Sequence, residues 1–416
     1  MCMTQDKPKL VVVGNGMASV RFLEELTALE HGYDITVFGE EPEPAYNRVL
    51  LSSCLAGDIN TEDIQLRGRG WYQSQNITLK TGEQVTRLNT DTATIELASG
   101  HSLAYDQLVI ATGSRPICLP LPGADLDGVV TFRDLKDLAA LHKVQAGEPV
   151  VVIGGGLLGL EAAAGLAGHG ADVTVVHLMD KLMERQLDAP AAKLLKASLE
   201  AKNITVEVLA QSDYLREAPG TGKVDALVLK DGRALPASLV IMAVGISPNC
   251  ALAKTAGLTV GRGIEVNDQM QTNVPNVYAV GECAQHRGTC YGLVEPAYEQ
   301  VKVLAAHLTH KVASYEGTYL ATNLKVNSVS VFSAGQFEET SETEAVSYTD
   351  PNAGTYRKLL IENETLIGAV LIGDTQDGIW YRNLIQSGKK ISSIRSDLIF
   401  GETLANLKDK TGEQRL

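Results

Sequence analysis

Apolar residues arrive along this chain in short bursts separated by glycine. Lys9-Leu10-Val11-Val12-Val13 has the length and apolar content of a buried strand, and Gly14-Asn15-Gly16-Met17-Ala18-Ser19 follows at once. Phe22, Leu23, Leu26 and Leu29 then recur at helical spacing. Ile35-Thr36-Val37-Phe38 resumes the strand pattern and ends at Gly39-Glu40-Glu41. Strand, glycine turn, helix and strand make a β-α-β unit. The same order returns from Pro149: Val150-Val151-Val152-Ile153, the turn Gly154-Gly155-Gly156-Leu157-Leu158-Gly159, an Ala/Leu-rich helix over 160–169, and Val173-Thr174-Val175-Val176. Two such units form an internal repeat at domain scale and predict an α/β chain with two doubly wound domains built alike. From about Tyr315 the glycine-rich pattern stops. Residues 356–361 and 366–372 read as two strands joined around Asn363 and Glu364. Residues 378–388, with Trp380 and Tyr381, read as a helix, so the tail is a small α+β domain.

The glycines carry the chemistry. In G-x-G-x-x-G the first glycine permits the tight turn, the second lets a pyrophosphate approach the backbone, and the third lets helix and strand pack closely. The pyrophosphate then rests on the positive helix N-terminus. Gly154, Gly156 and Gly159 complete the pattern in the second unit, whereas the first ends in Ser19, a small residue that costs a little separation. Two copies, each between a strand and a helix, point to dinucleotide sites far more strongly than one. Glu40, at the end of the second strand, suits the ribose hydroxyls of FAD or NAD; an exposed acid in a turn is the plain alternative. The corresponding stretch of the second unit is His177-Leu178-Met179-Asp180-Lys181. It has no carboxylate at the strand end to repel a 2′-phosphate and no arginine immediately there to bind one, which leaves NADH and NADPH both open.

Composition narrows the classes. A chain of 416 residues fits two or three domains. A net charge of −14 argues against nucleic acid as partner, because phosphate neutralisation needs a basic face. Lys389, Lys390 and Arg395 are the candidate local exception, with a solvated surface as the plain reading. Residues 1–9 lack the apolar core of a signal peptide and no apolar run approaches bilayer length, so a cytoplasmic location without membrane contact is expected. Cys2, Cys54, Cys118, Cys250, Cys283 and Cys290 include no C-x-x-C pair, which predicts free thiols and no metal site. The eight histidines are scattered.

Three further segments carry a family resemblance. Tyr105-Asp106-Gln107-Leu108-Val109-Ile110-Ala111-Thr112-Gly113-Ser114-Arg115-Pro116 resembles the strand and turn that close the first half of a flavin domain. Ala243-Val244-Gly245-Ile246-Ser247-Pro248-Asn249 resembles the return from a nicotinamide domain, and Asn276-Val277-Tyr278-Ala279-Val280-Gly281-Glu282-Cys283-Ala284 resembles the late flavin motif, with Glu282 where aspartate is usual. In this order they resemble the flavoprotein reductases with two dinucleotide-binding domains, across the whole chain. That resemblance implies a glutathione-reductase-type fold. The FAD domain is discontinuous (1–113 and 247–320), the NAD(P)H domain spans 114–246, and the small C-terminal domain spans 321–416. It implies FAD at Gly14, Gly16, Met17, Ala18, Glu40, Glu41, Arg48, Ala111, Thr112, Gly113, Arg115, Gly281 and Glu282. It implies NADH or NADPH at Gly154, Gly156, Leu157, Leu158, Gly159, Glu161, His177 and Gly245, with Glu161 at the carboxamide end of the nicotinamide. A helix-N-terminal acid favoured by the dipole is the alternative for Glu161.

No cysteine pair lies near the first helix, as a glutathione-reductase-like enzyme would need. Pro44-Ala45-Tyr46-Asn47-Arg48-Val49-Leu50-Leu51-Ser52-Ser53 is similar to the flavin-contacting loop of the ferredoxin- and rubredoxin-reductase branch, with Ser53 in place of a frequent lysine. Arg48 is kept, to neutralise phosphate or steady the isoalloxazine, with a surface salt-bridging arginine as the plain alternative. Together with His177-Leu178-Met179 through Leu182-Met183-Glu184-Arg185-Gln186-Leu187-Asp188, Gly281-Glu282-Cys283-Ala284 and Tyr291-Gly292-Leu293-Val294-Glu295-Pro296-Ala297-Tyr298-Glu299-Gln300, this loop resembles the flavin module of NAD(P)H nitrite reductase large subunits and of nitrate-assimilation electron-transfer proteins. Siroheme and iron–sulfur modules follow that module in such enzymes. Here the chain stops at Leu416, so electrons are expected to pass to a separate siroheme or molybdenum reductase or a small iron–sulfur protein such as rubredoxin. Trp380 and Tyr381 read as an exposed surface for a homodimer. Two rivals remain: an NADH oxidase or peroxidase acting through a Cys54 thiolate, and a non-enzymatic flavin-binding sensor.

Overall fold

The computed structural model describes residues 7–326 and 329–411, so Cys2 and most of the polar opening lie outside the described residues. The chain divides into two units. One holds the residues up to Cys54, then Ile59–Pro116 and Ile246–Thr318; the other holds Leu55–Asp58, Ile117–Gly245 and the residues from Tyr319 onward.

In the first unit β1 (Lys9–Val13) leads through α1 (Met17–Thr27) to β2 (Asp34–Gly39). The sheet is wholly parallel, in the order Val277–Ala279, Gln107–Ile110, β1, β2, Ile77–Thr81. Strands of such a sheet are covered on both faces and read as continuous apolar runs, which is why Leu10, Val11, Val12 and Val13 are all buried. Phe22, Leu23 and Leu26 of α1 join Val301 and Leu304 of the helix Val294–Leu308 in one core cluster. Leu88 and Ile95, from the antiparallel strands Val85–Asn89 and Thr94–Leu97, join the other.

The second unit repeats the plan. β3 (Pro149–Ile153), α2 (Leu157–Gly168), β4 (Asp172–Val176) and α3 (Ala189–Glu200) follow one another. The parallel order is Thr205–Glu207, β4, β3, Leu239–Met242, Val129–Val130. Helix α2 begins three residues before the expected 160, because the turn passes directly into it after the extended Gly156.

The tail is richer than its sequence pattern predicts. β5 (Thr355–Glu362) and β6 (Thr365–Ile372) pair antiparallel around Asn363 and Glu364, both at positive φ, the conformation of a tight hairpin. They sit within a five-stranded antiparallel sheet ordered Ala321–Val326, Val329–Gly335, β6, β5, Glu344–Asp350. Glu344–Asp350 is an edge strand without a buried residue, so it offers no apolar run to read. α4 (Gly378–Ser387) packs on this sheet so closely that a Cβ on Gly378 would stand 2.6 Å from Phe332. The expected exposure of Tyr381 is corrected here. Its ring is fully buried, its hydroxyl donates to the Leu398 carbonyl at 2.7 Å, and Arg357 donates to it at 3.0 Å. Trp380 is half-buried. The basic cluster is also spent locally: Lys390 donates to the Asn363 carbonyl and Arg395 pairs with Glu344. Asp188, which caps α3 by accepting from Ala191 N–H, is shared with the tail through Tyr356 (2.7 Å) and the buried Lys358 (3.1 Å). No described helix is long and apolar enough to cross a membrane.

Candidate dinucleotide sites

Each unit turns sharply between its first strand and helix. Gly14 and Gly154 sit at φ +108° and +125°. A Cβ there would lie 2.2 Å from the Ala111 carbonyl and 2.3 Å from the Ala243 carbonyl respectively, so both first glycines are demanded by the neighbouring strand as well as by φ. Gly16 and Gly156 differ in kind. Both are extended, at φ −108° and −87°, where any residue is at ease, and a Cβ on either meets nothing within 4 Å. The protein itself gives no reason for glycine at these two positions.

The helices beginning there are equally unfinished. Neither α1 nor α2 has a side-chain cap or an acid in its first turn, which leaves backbone N–H donors and the positive dipole end open to an anion. Met17 and Ala18 open α1; Leu157 and Leu158 open α2, and all four are half-buried. In the first turn Asn15 accepts from the Tyr72 hydroxyl at 2.9 Å, while its buried Nδ2 finds no partner among the described residues. The residues therefore fit a pyrophosphate at both turns, with an extra amide donor at the first.

At the third position the two turns part. A Cβ on Gly159 would stand 2.2 Å from the Gly154 carbonyl. Ser19 occupies the equivalent place, fully buried, and its hydroxyl donates to the Gly14 carbonyl at 2.6 Å. The expected separation is thus used for a hydrogen bond.

Around the first turn the expected residues converge. Thr112 donates to the Asn249 carbonyl at 2.8 Å, and Gly113, at φ +65°, accepts from Asn249 N–H at 2.9 Å, which joins the two closing segments. Ala111 is buried at the strand end. Ser114 donates to Glu282 Oε2 at 2.7 Å, placing that carboxylate beside Gly113. Gly281 donates its N–H to Gln300 Oε1 at 2.8 Å; Gln300 is fully buried and its Nε2 finds no partner among the described residues. Glu40 is exposed, accepting from Gln84 at 3.1 Å and facing Arg115 at 3.5 Å. Arg48 lies against Glu41 and accompanies the Tyr46 hydroxyl at 2.8 Å, so its charge is already answered by a carboxylate.

Around the second turn, Gly245 stands at φ +110° and its carbonyl accepts from Ile117. Glu161 is the fifth residue of α2, half-buried and past the first turn, where the helix dipole has largely faded. His177 is buried and accepts from the Gly155 N–H at 3.0 Å. Its Nε2 meets Glu184 at 3.1 Å.

Cys54 does not suit the thiolate chemistry considered for it. It is 3% exposed, its sulfur lies 3.7 Å from the Asn60 carbonyl, and burial, then Asp63 and Glu62, raise its thiol pKa above the ordinary value. Cys283 is pushed up to about 11, chiefly by complete burial. Cys54, Cys118, Cys250, Cys283 and Cys290 are all free.

Asn15, Tyr72, Ser114, Gln300 and Glu184 are additions to the expected set. Asn15, Ser114, Glu184 and Gln300 lie inside the motifs read from the sequence, without a role given to them there; Tyr72 has no local signal and is brought in by folding.

The chain is similar to known proteins. The family described as pyridine nucleotide-disulphide oxidoreductase matches residues 8–306, and the rubredoxin NAD+ reductase C-terminal domain matches residues 321–389. A nitrite reductase [NAD(P)H] of Bacillus subtilis (strain 168) is 48% identical over 389 residues, which is 93% of this chain and 48% of that protein. The assimilatory nitrate reductase electron transfer subunit of the same organism is 44% identical over 400 residues, 95% of this chain and 52% of that one. The chain therefore spans about half the length of these relatives. Among solved structures, a chain of the covalent putidaredoxin reductase–putidaredoxin complex superposes with a TM-score of 0.88 at 27% identity, covering 97% of this chain and 98% of that one.

Proposed function

Because the chain belongs to the pyridine nucleotide-disulphide oxidoreductase family, we propose that it is an FAD-dependent NAD(P)H oxidoreductase that feeds electrons to a further redox protein. The acceptor we favour is a nitrite or nitrate reductase component, or a rubredoxin-like iron–sulfur protein. The names of the relatives support this choice of acceptor class. The observation that carries the reading is the pair of glycines, Gly16 and Gly156, whose missing side chains leave space at two uncapped helix N-termini. Space without a protein reason, at a positive helix end, fits two pyrophosphates.

In this reading the first unit holds FAD. The N–H groups opening α1 and the Asn15 amide take the phosphates, Glu40 takes the ribose, and Glu282, set by Ser114, takes the ribityl hydroxyls. The second unit holds NAD(P)H through the N–H groups opening α2, with Glu161 toward the carboxamide. The flavin, when bound, supplies the hydride acceptance and the onward release of electrons. The protein's task is to bind, orient and shield the two dinucleotides, and the buried, protonated Cys54 takes no part.

The test is an anaerobic titration of the yellow protein with NADH and NADPH, followed by addition of a rubredoxin-type acceptor. The reading expects loss of the oxidised-flavin absorbance with about one equivalent of nucleotide, and its return on adding acceptor. A flavin that neither nucleotide bleaches would leave only a sensor or scaffold.

A further inference from the structure

Gly155, the middle residue of the second turn, is gripped from two sides. Its N–H donates to His177 Nδ1 at 3.0 Å, and its carbonyl accepts from Met183 N–H at 3.0 Å. A Cβ at this position would lie 2.6 Å from Leu182 and 2.8 Å from His177, so the segment after β4 is closed down on the turn. Met183, fully buried at φ +50°, is the fastening point, and Glu184 is the next residue.

The hydrogen bonds fix the histidine tautomer. Since Nδ1 accepts from Gly155, the ring N–H is on Nε2 and donates to Glu184 Oε2 at 3.1 Å. Glu184 is thereby aimed from both ends, its backbone by Met183 and its carboxylate by His177. It is 27% exposed, within reach of solvent and ligand. The nearby cations do not cancel it fully: Lys181 is paired with Glu338 at 3.1 Å, and Arg185, 85% exposed, stands 3.9 Å away. Asp180 is exposed at the same edge.

Beside this pair lies an apolar surface. Leu178, Met179 and Leu209 are 60%, 45% and 72% exposed. Leu209 N–H donates to the Met179 carbonyl, and Ala210 N–H to the His177 carbonyl, so the backbone that carries these side chains is tied to the residue that holds Glu184. Exposed apolar side chains and a fixed carboxylate on one segment, after the strand that follows the turn and helix, complement the chemistry of an adenosine: a ring face and a hydroxyl donor.

We propose that Glu184, positioned by His177, decides between the two nicotinamide dinucleotides in favour of NADH. The assignment rests on the reading that the second unit binds NAD(P)H, and it names the residue that discriminates there. The carboxylate accepts from a ribose hydroxyl and repels a 2′-phosphate. This is the acidic group that the strand end itself lacks, supplied seven residues further on by a loop bolted to the turn.

The test is calorimetric titration of the flavin-loaded protein with NAD+ and NADP+, which reads binding without turnover. Wild type should bind NAD+ at least about tenfold more tightly at low salt, with the margin shrinking as salt screens the partly exposed charge. Glu184→Gln should tighten NADP+ by about tenfold while changing NAD+ by no more than about threefold. Asp180→Asn should move the ratio less than Glu184→Gln does, and His177→Ala should weaken discrimination in the same direction as Glu184→Gln. Equal binding of both nucleotides by wild type, or an unchanged ratio in Glu184→Gln, would overturn this assignment alone. Binding of neither nucleotide would overturn it together with the reading beneath it.

Discussion

The two glycine turns follow one pattern, yet they tolerate side chains very differently. The first, at Gly14–Ser19, admits Asn15 and Ser19 and uses both: Asn15 is held by Tyr72, and Ser19 hydrogen-bonds the Gly14 carbonyl. The second, at Gly154–Gly159, is closed. Gly155 is covered by Leu182 and His177, and a Cβ on Gly159 would stand 2.2 Å from the Gly154 carbonyl, whereas Ser19 donates its hydroxyl to the matching Gly14 carbonyl. The lesson is that the third glycine of the fingerprint is a spacing choice: a helix set slightly off the strand can replace contact by a hydrogen bond. Only the first and second glycines behave alike in both turns.

Substitutions that exchange these properties break the comparison. Gly159→Ser should be the most damaging, costing about 3 kcal/mol and most of the affinity of the second unit for NAD+, because the backbone carbonyl at 2.2 Å cannot yield like a side chain. Chemical denaturation and NAD+ titration would measure it. Gly155→Ala should cost about 2 kcal/mol, since Leu182 and His177 are flexible enough to give partly; Asn15→Ala, its partner in the first turn, should cost about 1 kcal/mol through the lost Tyr72 bond. Ser19→Ala should also cost about 1 kcal/mol, the net worth of one hydrogen bond, and leave flavin content intact. Smallest of all, Cys54→Ala should leave the NADH-driven bleaching rate within about twofold. Its thiol, held protonated by burial, should resist alkylation at neutral pH until the protein is unfolded, as mass spectrometry would show.

Much of this was legible because glycine turns between apolar strands leave a pattern of local sequence. Both β-α-β units, the Asn363–Glu364 hairpin and the helix at 378–387 could be read that way. The edge strand Glu344–Asp350 could not, because no residue of it is fully buried to set an alternation. Tyr381 was misread for a related reason: an aromatic with a hydroxyl resembles a surface residue until Arg357 and the Leu398 carbonyl are found beside it. Glu184 lay in a segment read from the sequence, but the role proposed for it could not be read, because its placement depends on contacts of His177 and Met183 that no spacing rule encodes. Arg48 read as a phosphate or isoalloxazine contact or as a salt-bridging arginine, and the fold adds its carboxylate partner, Glu41.

The central claim is that the two turns serve two different dinucleotides, and a paired binding measurement tests it most directly. Flavin content and NAD+ affinity would be measured on Gly16→Val and on Gly156→Val, changes placed where a side chain meets no protein atom. The account predicts that Gly16→Val loses its yellow colour yet still binds NAD+, while Gly156→Val stays yellow and no longer binds NAD+. Full flavin content in Gly16→Val, or undiminished NAD+ affinity in Gly156→Val, would contradict it.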